Sequence, residues 1–145
     1  MNVFIVGSPI ETAEAMFGDK RLHKQIVECT QMLNAINGET EAWRNHPCTL
    51  QYQYHKAWLK EYQECLKAVV EKQFAKALFH SEVADEIRPE FHTEAFFNQM
   101  KRRLYTKNQQ HYAQWAHLGT SEVNWYYVGG QWRYYKNGKQ VKESV

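Results

Sequence analysis

The densest group of chemistry-bearing side chains lies in "DKRLHKQIVE", residues 19–28, where Lys20, Arg21, His23, Lys24 and Glu28 crowd the start of an amphipathic segment. On a helix, residues three and four apart are neighbours, so Arg21, Lys24 and Glu28 share one stripe, with Lys20 beside it and His23 on its flank. That stripe runs opposite much of the apolar one. Two readings fit it. One is a solvated face with a Lys24–Glu28 ion pair worth about 0.3–0.5 kcal/mol. The other is an anion grip, in which cations near a helix N-terminus hold a backbone phosphate and the glutamate does acid/base work.

Three further groups have chemical potential. In "NHPC", residues 45–48, Asn45 or His46 stands just before Pro47 and reads as a cap or turn residue. His46 is also an imidazole of near-neutral pKa, placed to act on a substrate. Lys101, Arg102, Arg103 and Lys107 read as a solvated helix face that can add phosphate contacts. In the tail, Trp125, Tyr126, Tyr127, Trp132, Tyr134 and Tyr135 interleave with Arg133, Lys136 and Lys139. Rings alternating with cations offer stacking and phosphate contacts together, as distorted or unpaired nucleic acid requires, while some of the rings are expected to cap the core. The 7 histidines are dispersed with no His-x-x-x-His pair, so neither a metal nor another cofactor is expected.

The elements that must position these residues follow from pattern and punctuation. Residues 2–6, "NVFIV", read as a buried strand or extended segment ended by Gly7-Ser8-Pro9. A short helix is expected over 11–17, stopped by Gly18, with Asp19 as N-cap of the next. That helix, 19–36, carries Leu22, Ile26, Cys29, Leu33 and Ile36 on one stripe. Pro47 opens a tract without Gly or Pro as far as Arg88, read as a long helix to about residue 70 and further helix beyond it. Helices are expected over 94–105 and 108–117, and the aromatic tail around Gly129-Gly130 fits a hairpin or an irregular loop.

The chain of 145 residues is thus expected to form a single domain, 1–145: a mainly α, compact helical bundle with a short N-terminal extended segment and an aromatic C-terminal loop or hairpin. A net charge of +2 creates no strong global field, so any attraction for nucleic acid has to be local. Aromatic residues at 14% exceed what one small core needs and suggest a stacking or partner-binding surface. Cys29, Cys48 and Cys65 form no Cys-x-x-Cys pair and fit reduced thiols in the cytoplasm. No leader peptide and no membrane span is indicated.

Taken in order, "MNVFIV", "DKRLHKQIVECTQML", "NHPC" and the "WYY…WRYY" tail resemble the small phage-type pyrimidine-dimer DNA glycosylases, the endonuclease V-like enzymes. The resemblance implies a mainly helical protein that grips double-stranded DNA at a damaged or modified pyrimidine; a monomer is expected. It implies a free N-terminal amine as nucleophile, attacking C1′ to release the base and form an imine, followed by strand cleavage through β-elimination. An α-amine suits this because its ordinary pKa, near 8, lies closer to neutrality than that of a lysine. Carried across by position, the amine belongs to Met1, or to Asn2 if Met1 is removed. Lys20, Arg21 and Lys24 become the phosphate grip, and Trp125, Tyr126 and Tyr127 the damage-reading aromatics. In the family the glutamate directly follows the first arginine of the grip. Here Leu22 follows Arg21, and Glu28 is the best available carboxylate. Two rivals keep other classes open: a base-modifying or group-transfer enzyme with His23, Glu28 and His46 around a base pocket, and a non-catalytic helical module whose aromatic tail docks on a protein.

Overall fold

Residues 2–6 run extended through the interior, with Val3 and Ile5 almost wholly buried, yet they join no sheet. A buried backbone must still satisfy its polar groups, and here side chains do so. Gln25 accepts from the Phe4 N–H at 2.6 Å and donates to the Asn2 carbonyl at 2.7 Å, Tyr62 donates to the Phe4 carbonyl, and Thr12 accepts from the Val6 N–H at 3.0 Å. Through these bonds the first residues are laced onto the helices around them.

The computed structural model describes residues 1–142. Six α-helices come first: α1 (Pro9–Met16), α2 (Arg21–Ile36), α3 (Pro47–Tyr52), α4 (Lys56–Val70), α5 (Phe74–Glu86) and α6 (Glu94–Lys107). A 3-10 turn (Ala113–Leu118) and an antiparallel sheet of β1 (Val123–Val128), β2 (Gln131–Lys136) and β3 (Lys139–Val141) follow. The protein is therefore mainly helical with a small C-terminal sheet. No helix among the described residues is long and apolar enough to cross a membrane.

α1 begins at Pro9, earlier than the expected residue 11, because Ser8 and Glu11 form a reciprocal capping box and Pro9 fits the first turn. α2 runs from Arg21, and although Lys20 precedes its first turn, the Asp19 carboxylate still accepts from the Arg21 N–H at 3.2 Å. α4 lies at the centre, packed against α1, α2 and α5, and buries Trp58, Leu59, Tyr62, Cys65, Leu66 and Val69.

The single long helix expected from Pro47 to about residue 70 is instead two, broken at 53–55. α3 buries Cys48, Thr49, Gln51 and Tyr52 and packs on β1, whereas α4 faces the other helices, and one straight rod cannot present both faces. The break lets Tyr52 fold back onto Trp58, their rings stacked 5.3 Å apart. The helix expected at 108–117 is a shorter, tighter 3-10 turn. Asn108 ends α6, Tyr112 is drawn to Asp19 by a 2.7 Å bond, and Trp115 stacks on Tyr112.

Of the two readings of the tail, the hairpin forms. Gly129 and Gly130 both have positive φ, as a two-residue turn of primed type demands. Asn137 and Gly138 repeat the device and add β3, which was not anticipated although Asn-Gly between two runs is a strong hairpin signal.

Candidate active site at the first residue

Met1 is held half-buried at the mouth between α2, α3 and β1. The Tyr126 hydroxyl donates to its carbonyl at 2.8 Å. The Asn2 side-chain amide donates to Asn124 Oδ1 at 2.8 Å, and Arg103 Nε donates to that same oxygen at 2.9 Å. With Gln25 on the Asn2 carbonyl, the terminal residues are held from α2 and β1, and Arg103 of α6 braces Asn124. Asn2 Oδ1 is buried with no hydrogen-bond partner, which leaves one acceptor in the site uncommitted.

The positive terminal amine falls within electrostatic reach of Glu28 and His46. Burial raises the Glu28 carboxyl above the usual range, and the amine, then Lys24, then Lys107 pull it back down without cancelling the rise. His46 is shifted down by burial and by the amine. Glu28 is thus half-buried at the edge of the site and not on the fully solvated face that periodicity alone suggested. The Lys24–Glu28 ion pair is not among the described ion pairs, and Lys24 acts on Glu28 at longer range.

Two side-chain cations, Lys24 of α2 and Lys107 of α6, act on the carboxylate. Lys107 is shifted down, first by desolvation at the foot of α6, then by the like charges of Arg103, Arg21 and Lys24. Mutual repulsion among four cations from α2 and α6 is the field that an anion relieves. Arg21 is partly engaged, 3.2 Å from the buried carboxylate of Asp19. Burial acts to raise the Asp19 pKa, but hydrogen bonds from Tyr112 and the Arg21 N–H and the Arg21 charge outweigh it, so Asp19 stays ionised. Lys20 and Lys24 are exposed at the start of α2.

Several residues singled out from the sequence take other positions. His23 is exposed, beside Phe17 and Val70 in a separate groove, and is not gathered with Glu28 and His46. His46 is the N-cap of α3, its Nδ1 accepting from the Cys48 N–H at 3.0 Å, which leaves the proton on Nε2. Its ring meets Tyr126 edge-on at 5.8 Å. Arg103 is buried and donates to the Ser121 carbonyl at 2.8 Å, and Arg102 donates to the Leu118 carbonyl at 3.0 Å, so both brace the connection from α6 to β1.

The aromatic tail divides by strand alternation. Tyr126 points inward and is a clamp, not a stacking platform. Tyr127 stacks on Phe91 at 5.5 Å and meets Trp132, which also packs on Phe96, so these rings close the core. Trp125 is half-buried, edge-on to Trp132 and Tyr134, and Arg133 is half-buried opposite Tyr126.

Sequence reasoning missed Gln25, Gln51, Tyr62 and Asn124. Gln25 carried a usable signal: it sits among Leu22 and Cys29 on the buried side of α2, where an amide must have a buried partner. Gln51 on α3 accepts from the Tyr127 N–H at 2.6 Å and ties the hairpin to the site.

The family model described as pyrimidine dimer DNA glycosylase matches residues 1–76, just over half of the chain. The matched stretch contains the extended terminus, α2 with Glu28, and the His46-capped α3. No curated protein and no solved structure matches the chain.

Proposed function

We propose that this chain, which belongs to the pyrimidine dimer DNA glycosylase family, excises damaged or modified pyrimidines from double-stranded DNA through its own terminal amine and then cleaves the strand. The observation that carries the reading is the clamping of Met1 by Tyr126 with its amine in electrostatic reach of half-buried Glu28, on which Lys24 of α2 and Lys107 of α6 also act.

In this reading Arg21, Lys24 and Lys107 hold the phosphates on either side of the lesion, with Lys20 at the rim. The neutral Met1 amine adds its lone pair to C1′ as the C1′–N bond to the base breaks; the base leaves with that bond's electron pair and takes up the proton that the newly bonded, positively charged amine gives up, which frees the nitrogen lone pair to open the sugar ring. A raised Glu28 carboxyl is suited to deliver a proton as the sugar ring opens, and its carboxylate then balances the cationic imine. Loss of a proton from C2′ expels the 3′ phosphate by β-elimination, and water hydrolyses the imine to restore the amine. Tyr126, Gln25 and Asn124 are positioning residues: they fix where the amine stands, and a fixed nucleophile avoids an ordering cost at each turnover.

The test is borohydride reduction with DNA carrying an abasic site. A covalent adduct is expected, with the DNA remnant on the peptide that begins at Met1, and acetylation of the α-amine is expected to abolish it. Adduct formation that survives acetylation would sink the assignment of the nucleophile. Excision of a base without any trappable adduct would replace the lyase by a simple glycosylase.

A further inference from the structure

Trp43, in the connection from α2 to α3, has a backbone conformation that its side chain does not favour. Among the described residues, non-glycine positive φ occurs at Trp43 (65°), Lys72 (59°) and Asn137 (52°). Two of these have local reasons. Lys72 follows α4 as its left-handed cap, the next N–H, of Gln73, donating back to the Ala68 carbonyl at 2.8 Å, and Asn137 belongs to the Asn-Gly hairpin turn. A bulky ring gains nothing from the left-handed region and is an outlier there. The surrounding turn holds it in place. The Ala42 N–H donates to Thr40 Oγ1 at 3.2 Å, the Arg44 N–H to the Glu41 carbonyl at 3.2 Å, and the His46 N–H to the Trp43 carbonyl at 3.1 Å.

This strain does not serve to bury the ring. Trp43 leaves 42% of its surface exposed, whereas Trp58 and Trp115 are buried and Trp125 and Trp132 half-buried. The ring meets His46 edge-on at 5.5 Å, His46 meets Tyr126 at 5.8 Å, and Tyr126 holds the Met1 carbonyl. Two ring contacts therefore join Trp43 to the site of the terminal amine. Its chain neighbours Glu41, Ala42, Arg44 and Asn45 are exposed and polar or small, so along the chain the ring stands singly. A protein partner calls for a contiguous apolar patch, whereas one ring matches one planar group, and every nucleobase has a π-face.

We propose that Trp43 is a base-stacking residue, receiving on its exposed surface a nucleobase that has left the duplex stack at the lesion. The proposal rests on the reading of the Met1 site as one that acts on DNA. The stacked base comes from one of two sources, the reacting nucleotide or the nucleotide opposite it.

Anisotropy of labelled duplexes, read at low temperature to hold off turnover, gives the affinity of the full chain for DNA with one thymine dimer and for the same DNA undamaged. Glycine suits the left-handed backbone, so Trp43→Gly is expected to leave the unfolding midpoint little changed. Its affinity for the dimer duplex is expected to fall about 5- to 100-fold, the scale of one lost stacked base, with little change on undamaged DNA. Trp43→Phe keeps a smaller ring and is expected to lose less. Duplexes with an abasic site in the damaged strand, or opposite it, remove one base or the other, and the Trp43→Gly deficit is expected to vanish in one of these arms. An undiminished affinity in Trp43→Gly overturns the proposal, as does an equal loss on undamaged DNA or a deficit that persists in both abasic arms. A loss that tracks a fallen unfolding midpoint in both variants makes Trp43 structural and also overturns it. Binding that depends on Trp43 without any borohydride adduct would refute the amine chemistry and leave the stacking role standing. Adduct formation by wild type with no deficit in Trp43→Gly would do the reverse.

Discussion

Glu28 is placed by two opposing effects. Burial favours its neutral form, while the Met1 amine, Lys24 and Lys107 favour the anion. Replacing Lys107 by alanine removes one of the restraining charges, so the carboxyl is expected to titrate at higher pH, observable by NMR of the side-chain carbon; an unchanged or lower value would contradict the placement. Glu28→Gln keeps the shape and loses the proton donor and the charge. Base excision is expected to slow by about 100-fold or more with little change in DNA affinity, the usual scale for a positioned acid. An equal loss in both quantities would make Glu28 a binding residue. Tyr126→Phe deletes the hydroxyl that holds the Met1 carbonyl. It is expected to lower stability by about 1 kcal/mol in denaturant unfolding and to slow adduct formation more than it weakens DNA binding.

At the scale of elements, the site is built by lacing an extended strand that has no sheet. Gln25→Leu fills similar space but leaves the Asn2 carbonyl and the Phe4 N–H buried without partners. It is expected to cost about 2–4 kcal/mol, read from the shift in the unfolding midpoint. This lacing was the least legible part of the sequence. The apolar stripe of α2 and the Pro47 start were local signals, and helices formed there; Gly129-Gly130 allowed a hairpin or a loop and the hairpin formed, whereas Gly7-Ser8-Pro9 read as a turn hid the capping box that starts α1. The break at 53–55 was not legible, because the face α3 must present is set by β1, distant in the chain. Charge spacing put Arg21, Lys24 and Glu28 on one stripe, but only the folded chain shows that Lys107 of α6 joins them and His23 does not. Tyr126 was legible as an aromatic of interest, but whether it stacks or caps was not, since alternation in an unformed hairpin does not say which side faces inward.

For the molecule as a whole, pH acts on stability through a buried imidazole. His92 is enclosed by Tyr52, Trp58 and Phe96, and burial depresses its pKa to about 3. Above its unfolded value of 6.5 both states are neutral there, so its contribution is constant. As pH falls from 6.5 toward 3 the unfolded chain takes up a proton that the folded chain refuses, and stability drops by up to about 1.4 kcal/mol per unit. Thermal melts across that window are expected to show the decline, and His92→Phe to flatten it from a lower starting stability. Salt acts on binding: Lys24→Ala and Lys107→Ala are each expected to reduce the slope of log affinity against log salt by about 1, uniformly across sequences. The bonds from Tyr126 to Met1 and from Asn124 to Asn2 join positions 125 and 122 residues apart. Under the proposed chemistry this couples reactivity to synthesis. Met1 carries the nucleophile, but Tyr126, which clamps it, is translated 125 residues later, so until then a growing chain exposes an amine with nothing to aim it. Competence arrives only when the hairpin leaves the ribosome, and premature termination before β1 yields a fragment that retains the nucleophile and most of the cations yet lacks the geometry to use them.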